Sequence, residues 1–415
     1  MKKIILLSDR LPYPPTSGTK NLLYNYCKIL HEKLGLEVIN ISFLEQHEDM
    51  IQKPKFIEKT YILSNPSAAT AMKNIMVKTL IQRKYPIQVS IFWDKKIKKQ
   101  VEKILKLEKP NFVIADFVRT TEYLKDFGDF KVADLQDLLS LRYRRQLGID
   151  LATLNPYGAY LYRFPKFIQN ILQFKFLKIL FLKNEAHLLE KFEKDVGDNY
   201  DRVMFVAQKE GDLFNKMTGH INSLVVPLGV DVDYFSQPDN IVKEESSIVF
   251  LGAMCVAHNE NGIIHFMKNI FPIVKEKIPD AKLYIIGGGV TKQIRDAALE
   301  GIVITGRVDD IRVVARKCKV FVCPLLFGTG IKTKNLEAMA MGLPVVTTTI
   351  GAENISAING RDWIIEDDNQ KFAKEVISLL TDEKRNSDMR KNAQQYVRDN
   401  FSWKVAEDKF KEVFK

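Results

Sequence analysis

Short apolar runs alternate along this chain with longer stretches in which apolar positions recur every three or four residues. Lys3 to Ser8 predicts a first strand, and Leu22, Leu23, Tyr26, Ile29 and Leu30 form the apolar stripe of a helix from about Thr19 to Leu34. Val38 to Ser42, Tyr61 to Leu63, Phe112 to Ala115, Lys131 to Leu135 and Arg202 to Ala207 read as further strands. The second half repeats the alternation, with strands at Ile248 to Leu251, Leu283 to Ile286, Val320 to Cys323 and Val345 to Thr348. Helices are predicted from Ile263 to Lys277, around Leu336, Met339 and Ala340, and from Met389 to Lys415. Strands that are apolar on both faces and separated by helices predict parallel sheets, hence an α/β protein.

The chain has 415 residues, too many for one ordinary core. Polar Gln237 to Ser247 reads as a linker, which divides the chain into domains at 1–236 and 247–390. The last stretch, 391–415, is expected to pack back on the first domain. Cys27, Cys255, Cys318 and Cys323 have no zinc or redox spacing, which suits a reducing cytoplasm. The apolar start is too short for a signal peptide, and no segment is apolar for long enough to span a bilayer.

The net charge of +11 is uneven. From Ala71 to Lys109 there are eleven Lys and Arg against three Asp and Glu, and from Arg142 to Lys183 eight against one. In the second segment Phe174, Phe176, Leu177, Leu180 and Phe181 interleave with Lys175, Lys178 and Lys183. Two readings stay open for 71–109 and 142–183: an anionic membrane surface, or a buried helix whose lysines reach out to water. No nucleic-acid module accompanies the charge.

Candidate chemistry sits where strands meet helices. Open parallel sheets bind ligands at the carboxyl ends of their strands, which singles out Gly18, Asp116, Arg119, Asp134 and Asp137. Asp137 has an equally ordinary reading as the cap of the helix that follows. In the second half the corresponding positions are Gly252, then His258, Asn259 and Asn261, which read either as polar help at an anion or as part of a loop ending at Gly262, and Gly287 with Gly288. The turn Gly328-Thr329-Gly330-Ile331 allows backbone N–H groups to converge on an anion, with Lys332 and Lys334 adding charge. Glu337 lies off the apolar stripe and is suited to accept hydrogen bonds from a vicinal diol. Asp310 reads as a helix cap.

The run from Leu325 to Thr348, LLFGTGIKTKNLEAMAMGLPVVTT, resembles the donor-site signature of GT-B glycosyltransferases, which have two Rossmann-like domains facing a cleft. It is most similar to retaining enzymes of glycosyltransferase family 4, in the variant GTGIKTK-x-LEAMA. The resemblance implies that Glu337 binds the nucleotide ribose, that the turn and its lysines hold phosphate, and that Arg307 and Val308 flank the base. It also implies that Glu353 approaches the donor and that the glycine loop at Gly18 faces the cleft. Glu337, Lys332, Asp116 and Asp137 are then the candidate catalytic residues. Three family features are missing: an earlier glutamate, here Thr329; an arginine and lysine after the glycine, here a loop starting Ala253-Met254; and a histidine, here Phe117-Val118. The phrase around Asp231-Val-Asp233 resembles the passage between the two GT-B domains rather than a metal-binding Asp-x-Asp, so no metal and no cofactor are expected. The implied activity is hexosyl transfer from a nucleoside diphosphate sugar, such as a UDP-sugar, to a glycan, lipid-linked or protein acceptor. The expected place is the cytoplasm, at the inner face of a membrane if the basic segments bind one. Alternatives are a catalytically silent GT-B subunit or a nucleotide-sugar epimerase.

Overall fold

A computed structural model describes residues 1–15, 18–43, 52–148, 156, 166–237, 241–328 and 330–414, apart from the side chains at 167, 168 and 170. The chain forms two units, 1–226 with 407–415, and 227–406.

The first unit is built on strands β1 (Lys3–Ser8), β2 (Glu37–Phe43), β3 (Lys59–Leu63), β4 (Phe112–Asp116), β5 (Phe130–Gln136), β6 (Arg202–Phe205) and β7 (Ser223–Val225). They pair in parallel in the order β3-β2-β1-β4-β5-β6-β7. Ile4 to Leu7 of β1 are fully buried, as a strand covered by helices on both faces must be. The winding direction reverses between β1 and β4, so Ser8, Asp9 and Arg10 lie at the switch point beside the end of β4.

The second unit repeats the plan with β8 (Ser247–Leu251), β9 (Lys282–Ile286), β10 (Ile302–Gly306), β11 (Val320–Cys323), β12 (Val345–Thr347) and β13 (Ile364–Ile365). Its parallel order is β10-β9-β8-β11-β12-β13, with the reversal between β8 and β11. Both units are therefore Rossmann-like α/β layers.

Several expectations change in detail. The helix predicted from Ile263 starts at Ala257, so Asn259 and Gly262 are helical rather than a loop. The end of the basic stretch, from Lys175 to Lys183, continues through the charged residues 184–199 as one helix, Lys175–Asn199. The long C-terminal helix breaks at Ser402, whose extended ψ of 154° separates Glu383–Phe401 from Trp403–Val413. Around that break the Val230 N–H donates to the Phe401 carbonyl at 2.6 Å, and a Cβ on Gly229 would stand 2.1 Å from the Trp403 ring. Residues 391–406 thus stay with the second unit, which begins at Pro227 rather than at the polar linker. From Glu407 onward the chain belongs to the first unit, where the Phe414 ring lies 5.2 Å from Phe112 and Phe410 lies 4.6 Å from Tyr26.

Asp137 does not cap the helix Leu139–Gln146, whose N-cap is Leu138 with no side-chain bond. Buried glutamates from neighbouring helices take the exposed amides instead. Glu193 accepts from the Ser140 N–H at 3.0 Å and from its hydroxyl, and Glu210 accepts from the Leu138 N–H at 2.7 Å. Glu185 receives the Ile87 and Gln88 N–H groups at 2.8 and 3.1 Å. Burial nevertheless pushes Glu185 and Glu193 up to about 7.

A raised carboxyl means that the folded chain keeps a proton the unfolded chain has released, so stability falls as pH rises from the ordinary carboxylate range to about 7. In Glu193→Gln the amide oxygen still accepts the Ser140 N–H and the NH2 donates to its hydroxyl. The stability of this variant relative to the parent, from urea unfolding, should therefore improve between pH 5 and pH 8. An equal difference at the two pH values would show that Glu193 does not hold its proton.

Candidate functional site

At the switch point of the first unit, strand ends are held in unusual backbone conformations. Phe117 and Gln136, the residues after Asp116 in β4 and at the end of β5, have φ of 63° and 61°. Non-glycine residues in the left-handed region carry strain and cluster at working sites. The Gln136 amide donates to Asp116 Oδ1 at 2.7 Å. Arg119 donates to Asp9 Oδ2 at 2.6 Å and, through two nitrogens, to Gln88 Oε1 at 3.0 and 2.7 Å. Its guanidinium lies 4.9 Å from the Phe117 ring and 5.2 Å from Phe92. Gln88 passes the network on to the Tyr143 hydroxyl at 2.9 Å.

The acids of this site divide by charge. Burial works to raise Asp9, but hydrogen bonds and charge from Arg10 and Arg119 outweigh it and hold Asp9 below its ordinary value. For Asp116 the Gln136 amide and the charge of Arg10 lower it less than its surroundings raise it. Burial, then the negative charges of Asp9 and Asp134, push it well above the carboxylate range, while burial takes Asp134 to about 7. The surroundings thus favour the ionised form of Asp9 and the protonated form of Asp116. Asp116 Oδ2 and Asp134 Oδ2 are buried without a hydrogen-bond partner among the described residues, as are Asp137 Oδ1 and Arg142 Nε. Asp137 and Arg142 pair through their other atoms, which leaves one acceptor and one donor of that ion pair unused.

In the second unit, the ends of β8, β9 and β10 are tied together by backbone bonds. Gly252 N–H donates to the Ile286 carbonyl at 3.0 Å, Gly287 N–H to Gly306 at 2.9 Å, and Met254 N–H to Gly288 at 2.8 Å. Gly287 has φ of 143°, and a Cβ there would lie 1.7 Å from the Gly252 carbonyl oxygen. A Cβ on Gly252 would meet the Asn259 amide at 2.8 Å and Lys334 Nζ at 3.0 Å. Glycine at both positions lets the start of the helix Ala257–His265 and a lysine approach the strand end.

Lys334 Nζ donates to Asn259 Oδ1 and lies 4.6 Å from the Phe250 ring, while Asn259 itself donates to the Ala253 carbonyl at 2.9 Å. Burial pulls Lys334 below its ordinary pKa, with Cys323 and Glu337 opposing. Gly328 and Gly330 have φ of 146° and 72°, and Lys332 folds back over this turn to donate to the Gly330 carbonyl at 2.7 Å. Lys332 is also the N-cap of the helix Thr333–Ala340, with no side-chain cap bond. Leu336, Met339 and Ala340 of that helix are buried, as their spacing requires, and Glu337 is half-buried on another side. Burial raises Glu337, and Lys334 opposes the rise. The Asn335 amide donates to the Gly351 carbonyl at 2.8 Å, which ties this helix to the turn carrying half-buried Glu353.

The structure thus gathers Gly252, Asn259, Gly287, Lys332, Lys334 and Glu337 about the switch point of the second sheet. Ile331 is half-buried against the core. Exposed Arg307 follows β10, its Cβ 3.7 Å from where Gly288 would carry one, and Val308 is half-buried beside it. Thr329 lies outside the described residues. Gly18 opens the helix Gly18–Glu32 of the first unit with open space around it, and Asp116 and Asp137 belong to that unit as well. Asp310 caps the helix Ile311–Ala315 as expected. Sequence reasoning passed over Asp9 and Gln88, although Asp9 and Arg10 directly follow an apolar strand. His258, read from the sequence either as help at an anion or as part of a loop, stands in the first turn of the helix Ala257–His265.

Residues 245–382 match the family model described as Glycosyl transferases group 1. An uncharacterised 44.6 kDa protein in the cps region of Klebsiella pneumoniae is 23% identical over 425 residues, covering 99% of this chain and 100% of that one. Among solved structures, sucrose-phosphate synthase from Thermosynechococcus elongatus has a TM-score of 0.70 at 14% identity, covering 100% of this chain and 98% of its own. TarM from S. aureus, solved in complex with Fondaparinux, alpha-GlcNAc-glycerol and UDP, has a TM-score of 0.66 at 12% identity and full coverage of both chains, 100% and 100%. The family match spans the glycine-lined strand ends, both lysines and Glu337, so the chain carries a glycosyl transferases group 1 domain in its second unit, and its two parallel-sheet units have the GT-B fold.

Proposed function

We propose that the protein is a retaining, metal-independent glycosyltransferase that moves a hexosyl group from a nucleoside diphosphate sugar, with UDP the expected carrier. The acceptor would be a glycan, a lipid-linked glycan or a protein in the synthesis of a bacterial-type glycoconjugate or surface polysaccharide. The observation that carries this reading is the cradle of the second unit, where two lysines and an uncapped helix start converge beside Glu337. Transfer breaks the bond from the anomeric carbon to the diphosphate oxygen and forms one to an acceptor hydroxyl oxygen, whose proton leaves on the diphosphate. Lys332, Lys334 and the helix amides offset the charge of that leaving group, and Glu337 accepts from the ribose hydroxyls. UDP bound to TarM and the cps-region setting of the Klebsiella relative support the donor and pathway classes. Asp231 and Asp233 have structural work of their own: Asp231 caps the helix Val232–Ser236 and Asp233 pairs with Arg398 at 3.1 Å.

On the acceptor side, the first unit offers the Asp137–Arg142 pair with its unused atoms, and the ionised Asp9 with Arg119. The basic helix also favours one of its two readings. Lys178 is buried and Lys175 and Lys183 are exposed, but Phe176 and Leu180 of this helix are exposed too, as are Ile171 and Phe174 just before it, so apolar side chains face solvent beside the lysines. Met72, Met76, Leu80 and Ile81 form a second exposed apolar group, next in sequence to Arg83 and Lys84. Both suit an anionic membrane surface, and among the described residues no helix is long and apolar enough to cross one.

Glu337→Ala removes an acceptor of two hydrogen bonds and should weaken UDP binding in calorimetry by roughly 10- to 100-fold, with the thermal shift by UDP falling in parallel. Unchanged affinity would remove Glu337 from the donor site. Vesicles containing phosphatidylglycerol should sediment the protein at low salt and neutral vesicles should not. Replacing Phe174 and Phe176 together by Ser should lower vesicle binding by about tenfold or more. Equal binding by the double variant would place the membrane surface elsewhere or dismiss it.

A further inference from the structure

The cradle of the second unit holds one titratable group that the reading above leaves without a task. His258 lies in the first turn of the helix Ala257–His265, whose N-cap Val256 supplies no side chain to the first amides. Its neighbour Asn259 holds the Lys334 ammonium, and Gly252 has no Cβ to fill the space beside them. Lys334 and Lys332, on the helix Thr333–Ala340 and at its N-cap, are the charged groups that act on His258. Glu337 and the Cys323 thiol act on Lys334 instead. On its own helix stand Glu260, two residues on, and His265 at the far end, bonded to Asn369 at 2.8 Å. Burial first, then the two ammonium groups, push His258 down to about 4, so the cradle presents a neutral imidazole.

A diphosphate entering this place reverses the local potential. Negative oxygens facing the imidazole favour its protonated form, which gains a donor on its second nitrogen. We propose that His258 is a specificity-determining residue of the donor site, taking a proton from solvent as the diphosphate of a nucleotide sugar binds, so that donor and proton are bound together. The inference rests on the reading of the second unit as a nucleotide-sugar site. Its consequence is selectivity by charge: a ligand without such negative oxygens, such as a nucleoside or a free sugar, draws no proton and meets a histidine kept neutral by burial and by the charges of Lys334 and Lys332. It also makes the grip adjustable in a way that a third lysine would not be.

The test uses the full chain and UDP-glucose, GDP-mannose and ADP-glucose, whose diphosphates carry no titrating proton near neutrality. Calorimetry of the tightest binder at pH 7, in buffers of different ionisation enthalpy, should show net proton uptake. Affinity should rise about tenfold between pH 8 and pH 6. His258→Gln should abolish both the uptake and the pH dependence, and His258→Lys should bind without pH dependence at an affinity at least equal to the parent's at pH 6. Binding by the parent with no proton uptake, or uptake that persists in His258→Gln, would overturn the role of His258 and leave the donor site standing. Absence of binding by all three sugars at every pH would overturn the donor site and this inference with it.

Discussion

The second unit depends on a backbone contact that only glycine permits. The Gly287 chain passes so close to the Gly252 carbonyl that a Cβ would overlap it, and this approach is possible because β8 and β9 end together. With the strand ends drawn in, the helix starting at Ala257 points its first amides at the switch point, and Lys334 reaches Asn259. The lysine position is thus a consequence of the sheet's geometry. Substituting either glycine would move the cradle before it altered any charge.

The first unit meets the same problem, strand ends crowded with polar groups, by another route. Its loops carry few caps of their own, and Glu185, Glu193 and Glu210 reach in from helices to take the amides at Ile87, Gln88, Ser140 and Leu138. Carboxylates placed there fix the short helix Ile87–Ser90, whose Gln88 receives Arg119, and the start of the helix that follows Asp137. This leaves Asp137 free to pair with Arg142 instead of serving as a cap.

What the residues revealed in advance follows from this contrast. Strands apolar on both faces were legible because burial on two sides leaves a continuous pattern, and the Leu336, Met339, Ala340 stripe placed Glu337 correctly because local spacing decides it. The helix start at Ala257 was missed because its first turns are polar, and they are polar because they face the cradle rather than the core. The reading of Asp137 as a cap failed for a different reason. A local rule predicts a local cap, whereas Glu193 lies more than fifty residues away in sequence and is brought to Ser140 only by the packing of its helix. The exposed phenylalanines at 174 and 176 were ambiguous in sequence, since the pattern alone does not say which face of a helix is covered.

The two switch points also differ in protons. In the first unit, burial and then the charges of Asp9 and Asp134 favour the protonated form of Asp116, while Arg10 and Arg119 hold Asp9 below its ordinary value. In the second, burial beside two lysines keeps His258 neutral. One physical effect, the penalty on charge in a poorly solvated place, removes negative charge from one site and positive charge from the other. Each site thereby holds one group poised against its surroundings, and an arriving ligand of the right sign relieves the penalty. In the proposed reading an anionic donor relieves the penalty on a charged His258, while burial and the charges of Asp9 and Asp134 oppose ionisation of Asp116.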